Sequence, residues 1–282
     1  MSQRHPILSR RGAGTIGTVN TLDLFRLDGK IALITGAGSG LGRAYAEAMA
    51  EAGADVACAD IDVSAAETTA RYARELGRRA IALHVDVSSE SSVIAMTADT
   101  VHQLGTLDIV FANAGIAEAR QPIVEATLEN WQRVIDVDLT SVFLTAREAA
   151  KVMIPRRSGK IISTASIIGF VSVHDGGQTR AYASAKAGVI NFTRSLGVEL
   201  AAQNIQVNAI APTFTKTNIR GGVLSADTPA SDAVRSGIIA RTPMGRLGEP
   251  DDFKGVAVFL ASAASDLMTG FTVAVDGGWL AW

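Results

Sequence analysis

Tyr182-Ala-Ser-Ala-Lys186 sets a phenol and an ammonium four residues apart, a spacing that puts both side chains on one face of a helix. Such a pair suits acid/base work. A free tyrosine ionises near pH ~10, so poising it for proton transfer near neutrality takes roughly 3 units, or about 4 kcal/mol, of preferential stabilisation of the phenolate, which a neighbouring ammonium helps to supply. Ser166, just after the expected fifth strand Lys160-Ile-Ile-Ser163, adds a neutral donor suited to polarising a carbonyl oxygen. Alone, a Tyr-x-x-x-Lys pair on a helix is usually surface decoration. Chain order gives this one weight, because it follows a glycine-rich loop and a Ser-bearing strand end.

That loop is Thr35-Gly36-Ala-Gly38-Ser39-Gly40-Leu41-Gly42-Arg43, which closes the apolar run Ile31-Ala-Leu-Ile and leads directly into a helical pattern. A side chain at Gly36, Gly40 or Gly42 would obstruct the turn, block a pyrophosphate or push the helix off the strand. The free amides at the helix start then face an anion. The strict Gly-x-Gly-x-x-Gly spacing is absent, since Leu41 stands at its third glycine, and no Gly-Lys-Ser/Thr ending follows. A purely structural turn would look alike. Ser39 lacks the flanking spacing of a hydrolase nucleophile elbow.

Periodicity supplies the elements that must hold these residues. Strands are expected over 31–35, 55–60, 80–85, 107–112, 160–163, 206–210 and 271–275. Helices are expected over 41–52, 65–76, 90–104, one long stretch from Leu128 to Ile154, 183–200 and 251–260. This alternation predicts an α/β protein, a single doubly wound Rossmann-like domain whose seven-stranded parallel sheet carries helices on both faces, with the ligand at the carboxyl ends of the strands. Asp60 and Ile61 fall at such an end, about 20 residues past the loop, where adenosine ribose hydroxyls are held. Asp86 and Val87 end the third strand, where Asp86 either caps the loop or meets adenine. Asn113-Ala114-Gly115 ends the fourth, and its small residues let backbone approach a flat ligand. Taken alone, Asp60 reads as a helix-capping acid and Asn-Ala-Gly as a simple turn.

Composition narrows the field. With 282 residues, 48% of them hydrophobic and 19% charged, the chain can build one large core rather than two ordinary domains. A net charge of -2 provides no basic field for nucleic acid or an anionic membrane, and no apolar run approaches the ~18 residues of a membrane span. A small-molecule partner and a cytoplasmic setting are expected. The single cysteine, Cys58, excludes an internal disulfide and suits a reducing compartment. His5, His84, His102 and His174 lack ligand spacing, so no metal is expected. Residues 1–26, with Arg4, Arg10 and Arg11 beside Gly12, Gly14 and Gly17, read as a disordered extension, a transit peptide being the alternative. Residues 27–282 read as the dinucleotide-binding domain, with a substrate lid near 213–240.

With these motifs in place, the chain resembles the short-chain dehydrogenase/reductase family over Leu27 to Trp282. The resemblance is carried by the glycine loop, Asn113-Ala-Gly115, Ser166 and Tyr182-x-x-x-Lys186. Val207-Asn208-Ala-Ile-Ala-Pro212, Pro243-Met-Gly-Arg246-Leu-Gly-Glu-Pro250 and Thr269-Gly270 with Asp276-Gly-Gly278 add to it. It implies that Tyr182 is the general acid/base, that Lys186 binds the nicotinamide ribose and lowers the tyrosine pKa, and that Ser166 positions the substrate oxygen. It also implies that the loop from Pro212, through Thr213, Thr215 and Thr217, contacts the carboxamide end of the cofactor, and that the chain forms a homotetramer or dimer. Three departures stand out. Asp138 occupies the family's catalytic asparagine position, Pro212-Thr213 replaces a Pro-Gly pair, and Ser166 lies farther from Tyr182 than is common, as if a substrate loop were inserted around Phe170 to Arg180.

The resulting expectation is an NAD(H)-dependent oxidoreductase interconverting a secondary alcohol and its ketone. NAD is favoured because the Asp60 carboxylate would repel a 2′-phosphate and Ser39 is not basic. The polar insert Val173 to Arg180 and a lid with few large apolar side chains over Gly221 to Ser236 point to a small polyol, sugar or sugar acid. A 3-oxoacyl-thioester reductase is the rival reading. A cofactor-bound regulatory protein that has lost catalysis is the alternative from another class. Asp138 keeps that alternative open; if its carboxylate faces the site, it partly neutralises Lys186.

Overall fold

The computed structural model describes residues 20–118, 121–172, 179–219 and 222–282. Seven strands, β1 (Ile31–Thr35), β2 (Asp55–Asp60), β3 (Ala80–His84), β4 (Ile109–Ala112), β5 (Gly159–Thr164), β6 (Ile205–Pro212) and β7 (Thr272–Val275), make one sheet in the order β3-β2-β1-β4-β5-β6-β7. Every pairing is parallel. The central strands β1 and β4 are buried along their whole length, which is why they read as apolar runs rather than alternating ones.

The described residues form eight helices, most of them packed on the sheet: α1 (Gly40–Glu51), α2 (Val63–Glu75), α3 (Glu90–Leu104), α4 (Leu128–Ile135), α5 (Ser141–Met153), α6 (Arg180–Ala201), α7 (Pro229–Ile239) and α8 (Lys254–Ala261). Alternate strand residues serve opposite faces. Ala32 and Ile34 pack with Tyr45 and Met49 of α1, Ala66 and Ala70 of α2, and Ala257 and Leu260 of α8. Ile31 and Leu33 belong instead to the cluster holding Val93 and Met96 of α3, Leu144 and Met153 of α5, and Leu200 of α6. Each such large aliphatic side chain contributes about 1.5 to 3 kcal/mol by leaving water. Local chemistry sets the helix ends. Asp62 accepts from the Ser64 and Ala65 N–H groups at the start of α2, and Gly105 ends α3 at φ 106°, where only glycine is at ease.

Two expectations, on the long helix and on the N-terminal tail, need correction, and a third gains detail. The stretch from Leu128 to Ile154 is not one helix, because a π-helical turn over Asp136–Thr140 separates α4 from α5; apolar spacing continues through it, so periodicity alone does not reveal the widened turn. The region expected as a lid contains a helix, α7, started by Thr228, whose side chain accepts from the Ser231 N–H, and by Pro229 in the first turn. Residues 20–26, read as part of a tail, hold the short 3-10 turn Leu22–Phe25, and the Phe25 ring lies 6.4 Å from that of Phe259. The rest of the N-terminal extension, and Val173 to Gln178 of the polar insert, lie outside the described residues. Among the described residues no helix is long and apolar enough to cross a membrane.

Candidate active site

The turn after β1 brings backbone against backbone. Gly36 has φ 67°, and a Cβ there would stand 3.0 Å from the Ala114 Cα; a Cβ at Gly42 would stand 2.0 Å from the Gly36 carbonyl oxygen. The α1 helix therefore sits against the turn more closely than any side chain permits. The neighbouring strand ends are tied together by hydrogen bonds. Thr35 Oγ1 accepts from the Asn113 and Ala114 N–H groups at 3.0 and 3.1 Å, and Asn113 Nδ2 donates to the Thr35 carbonyl at 2.9 Å. Thr164 Oγ1 donates to Asn113 Oδ1 at 3.0 Å, and Lys186 Nζ donates to the Thr164 carbonyl at 3.0 Å. One chain of bonds thus runs from β1 through β4 and β5 to α6.

Over these strand ends lies a cleft of about 910 Å³. Gly36, Ser39, Gly40, Leu41 and Gly42 line it beside α1, with Asp60, Ile61, Asp86 and Val87 toward the β3 edge of the sheet. Asn113, Ala114 and Gly115 follow β4, and Ser166, Tyr182 and Lys186 follow β5. Pro212, Thr213, Thr215 and Thr217 line it after β6. All the expected cofactor-contacting residues thus face one cavity; Asp138 alone among the expected site residues does not line it.

Asp60 is half-buried and rigidly held: Oδ2 accepts from the Gly38 N–H at 2.8 Å and Oδ1 from the Asp62 N–H at 3.0 Å. Asp86 Oδ1 accepts from the N–H and hydroxyl of Ser88 at 2.9 and 2.6 Å, so its carboxylate caps its own loop. Ser166 is buried, and its Oγ accepts from the Ile168 N–H at 3.2 Å, leaving the hydroxyl proton for another acceptor. Tyr182, in the first turn of α6, donates its backbone N–H to Glu118 Oε2 at 3.2 Å. Lys186 follows one turn on, with Nζ 5.5 Å from the Tyr182 ring centroid. The Thr213 hydroxyl, buried in the cleft wall, has no hydrogen-bond partner among the described residues. Free α1 amides and an unmet hydroxyl at Thr213 are the features a bound dinucleotide would satisfy.

Asp138 comes from the π-helical turn and lies behind Lys186. Its Oδ1 accepts from the Ile116 N–H at 2.9 Å, and its Oδ2 is 3.2 Å from Lys186 Nζ, in ionic contact though off the alignment of a hydrogen bond. Burial pushes the Asp138 carboxyl up, against the pull of the Lys186 charge and the Ile116 N–H. Burial works against the Lys186 ammonium as well, but the charges of Asp138 and Tyr182 outweigh it and hold the lysine above its ordinary range.

Sequence reasoning missed the apolar wall of the cleft. Ile167, Ile168, Phe214, Val223, Leu224 and Val234 line it, and the Phe214 ring packs 5.1 Å from that of Trp279. This corrects the expectation that the Gly221 to Ser236 region offers few apolar groups to the site; Val223-Leu224 was the available signal. Glu118, Arg133 and Asn218 also line the cleft without any motif to mark them. Cys58 lies inside the sheet, where burial pushes its thiol up to about 12, and takes no part. Among the described residues no group of three or more His, Cys, Asp or Glu side chains could hold a metal ion.

A parallel sheet whose glycine turn and Ser, Tyr and Lys side chains share one cleft defines a dinucleotide-dependent oxidoreductase. The chain belongs to the short-chain dehydrogenase/reductase family: the family model described as Enoyl-(Acyl carrier protein) reductase matches residues 36–280. It is 41% identical over 252 residues to the cis-4-hydroxycyclohexanecarboxylate dehydrogenase of Sinomonas cyclohexanicum, covering 89% of this chain and 97% of that one. It is 40% identical over 261 residues to the 2-dehydro-3-deoxy-D-gluconate 5-dehydrogenase of Dickeya dadantii (strain 3937), covering 92% and 99%. The structure of a gluconate 5-dehydrogenase from Burkholderia cenocepacia J2315 in complex with NADP and tartrate superposes with a TM-score of 0.84 at 35% identity, covering 93% of this chain and all of that one.

Proposed function

We propose that the protein is an NAD(H)-linked dehydrogenase interconverting a secondary alcohol and its ketone, with Tyr182 as acid/base. The observation that carries this reading is that Ser166, Tyr182 and Lys186 face the same cleft as the glycine turn. The nicotinamide cofactor supplies or accepts the hydride. The α1 amides, Gly42 among them, would hold its pyrophosphate, Asp60 its adenosine ribose, and Asn113 to Gly115 with Thr213 its nicotinamide end. Ser166 donates its hydroxyl proton to the substrate oxygen. Tyr182, as phenolate, takes the alcohol proton while the carbinol carbon gives up its hydride, leaving a carbonyl; reduction runs the same transfers backward. Lys186, charged and within reach of Tyr182, favours the phenolate.

Asp60 supports NAD over NADP. Its fixed carboxylate can accept from two ribose hydroxyls but repels a 2′-phosphate, and the nearest cation on α1, Arg43, is paired with Glu47 at 2.8 Å. A relative has been seen with NADP, so the preference rests on this corner alone.

Two substrate classes compete. A small polyol, sugar or sugar acid agrees with the name of the Dickeya relative. An alicyclic alcohol agrees with that of the Sinomonas relative, and the wall formed by Ile167, Ile168, Phe214 and Leu224 favours it, because a carbocycle buries apolar surface there while a polyol would leave hydroxyls unmet. Exposed apolar side chains at Phe143 on α5 and Val198 on α6 support self-association as part of the reading. The test is a panel of hydroxycyclohexanecarboxylates, sugar acids, polyols and oxoacyl thioesters with NAD and NADP, followed by absorbance of the reduced cofactor. Turnover of a ring or sugar-acid alcohol with NAD supports the reading; strong activity on oxoacyl thioesters alone, or none on any member, contradicts it.

A further inference from the structure

We propose that Asp138 is a positioning residue: through a buried ion pair it holds Lys186 beneath Tyr182 and moves the onset of alcohol oxidation to higher pH. The proposal rests on Tyr182 serving as acid/base. Its geometry does not.

The pair is closed off from water. The Asp138 side chain is 0% exposed and that of Lys186 3%. A Cβ at Gly115 would lie 2.9 Å from Asp138 Oδ2 and 3.5 Å from Lys186 Nζ, so the backbone after β4 covers the contact directly. The widened turn at Asp136–Thr140 presents the carboxylate with one oxygen on the Ile116 N–H and the other on the ammonium. Among the described residues the charged groups around it are few. Lys186 and Tyr182 come from α6 and Asp138 from the turn, while Glu118, from the segment after β4, meets the Tyr182 backbone N–H. Arg133 lines the cleft from α4, and β5 contributes only the Thr164 carbonyl.

An ammonium facing an open site gives its whole field to the phenolate; one already matched by a carboxylate gives less. The Asp138 oxygen lies within about 9 Å of the Tyr182 ring centroid by way of Lys186 Nζ. A unit negative charge at that separation, at an effective dielectric of about 20, disfavours the phenolate by about one pH unit. The sign is fixed: removing the negative charge makes proton loss from Tyr182 easier, so oxidation should switch on at lower pH. Asp138→Asn isolates the charge, because its amide oxygen can still accept from the Ile116 N–H while its NH₂ offers no counter-ion to Lys186.

The experiment compares wild type with Asp138→Asn in two readouts. One is the pH profile of kcat/KM for oxidation of whichever panel alcohol turns over. The other needs no activity: ultraviolet difference titration of the phenolate, in which the band missing from Tyr182→Phe belongs to Tyr182. Only three tyrosines are present; Tyr45 is raised by burial and Tyr72 by its hydrogen bond to Glu51, so both titrate late. Both the kinetic limb and the Tyr182 band should move about one unit lower in the variant. Coincident profiles, or movement to higher pH, overturn the proposal, and a loss of activity uniform across pH marks Asp138 as merely structural. Absence of turnover with every alcohol tells against the proposed function while the band titration still decides the role of Asp138. Should Asp138→Asn fail to fold, Asp138→Ser carries the same test.

Discussion

Replacing Asp60 with serine should convert a selective cofactor site into an indifferent one. Wild-type Asp60 is half-buried and pinned by the Gly38 and Asp62 N–H groups at 2.8 and 3.0 Å, so it cannot swing away from a 2′-phosphate without abandoning both donors. Two unit charges about 4 Å apart interact by ~4 kcal/mol at an effective dielectric near ~20 and by ~1 kcal/mol in bulk water. A half-exposed corner lies between these limits, so about 2 kcal/mol, or roughly thirtyfold in kcat/KM, should favour NAD in the wild type. In Asp60→Ser the repulsion is gone, and so are hydrogen bonds to a charged acceptor worth about 1.5 to 3 kcal/mol each. NAD efficiency should therefore fall about tenfold or more while NADP efficiency holds or rises, bringing the ratio near unity. The assay is kcat/KM for both cofactors at one fixed ionic strength, since salt screens the repulsion. Equal efficiency in the wild type, or a ratio unmoved by the substitution, would refute the reasoning.

The glycine turn and the buried thiol give two further tests. Gly42→Ala forces a Cβ to 2.0 Å from the Gly36 oxygen; overpacking of this kind costs about 1 to 3 kcal/mol or more. Both cofactor affinity, by fluorescence titration, and Tm should fall, whereas Gly77→Ala, at φ 77° with nothing within 4 Å, should lower Tm and leave cofactor affinity intact. Cys58, its thiol pushed up to about 12 by burial, should react with a thiol reagent only on unfolding; rapid labelling of the native protein would place it wrongly.

What could be read from the sequence was local. The Gly36 to Gly42 turn, the apolar strands and the strand-end positions of Asp60, Asn113 and Ser166 follow from sterics and periodicity within a few neighbouring residues, and the structure places them accordingly. The features that escaped depend on tertiary packing. The π-helical turn at Asp136–Thr140 keeps the apolar rhythm of the helices beside it, so the break in Leu128 to Ile154 is invisible until Ile116 and Lys186 are packed against it. The apolar wall draws on Ile167, Phe214 and Leu224, from three segments whose proximity no pattern encodes. Helix α7 was within reach, because Thr228-Pro229 is a start signal, but a short lid-like stretch gave little periodicity to accompany it.

The central claim, that Tyr182 moves the proton in an NAD-linked alcohol oxidation, is tested most directly by Tyr182→Phe. The substitution removes the hydroxyl and keeps the ring, which packs against the cluster that includes Ile167 and Phe214, so the transition state loses its acid/base while ground-state cofactor contacts persist. General acid/base catalysis typically contributes about 10²- to 10⁴-fold. The account predicts a fall in kcat/KM of that order, with NADH affinity by fluorescence titration within a few-fold of wild type; retention of more than about a tenth of wild-type kcat/KM would contradict it.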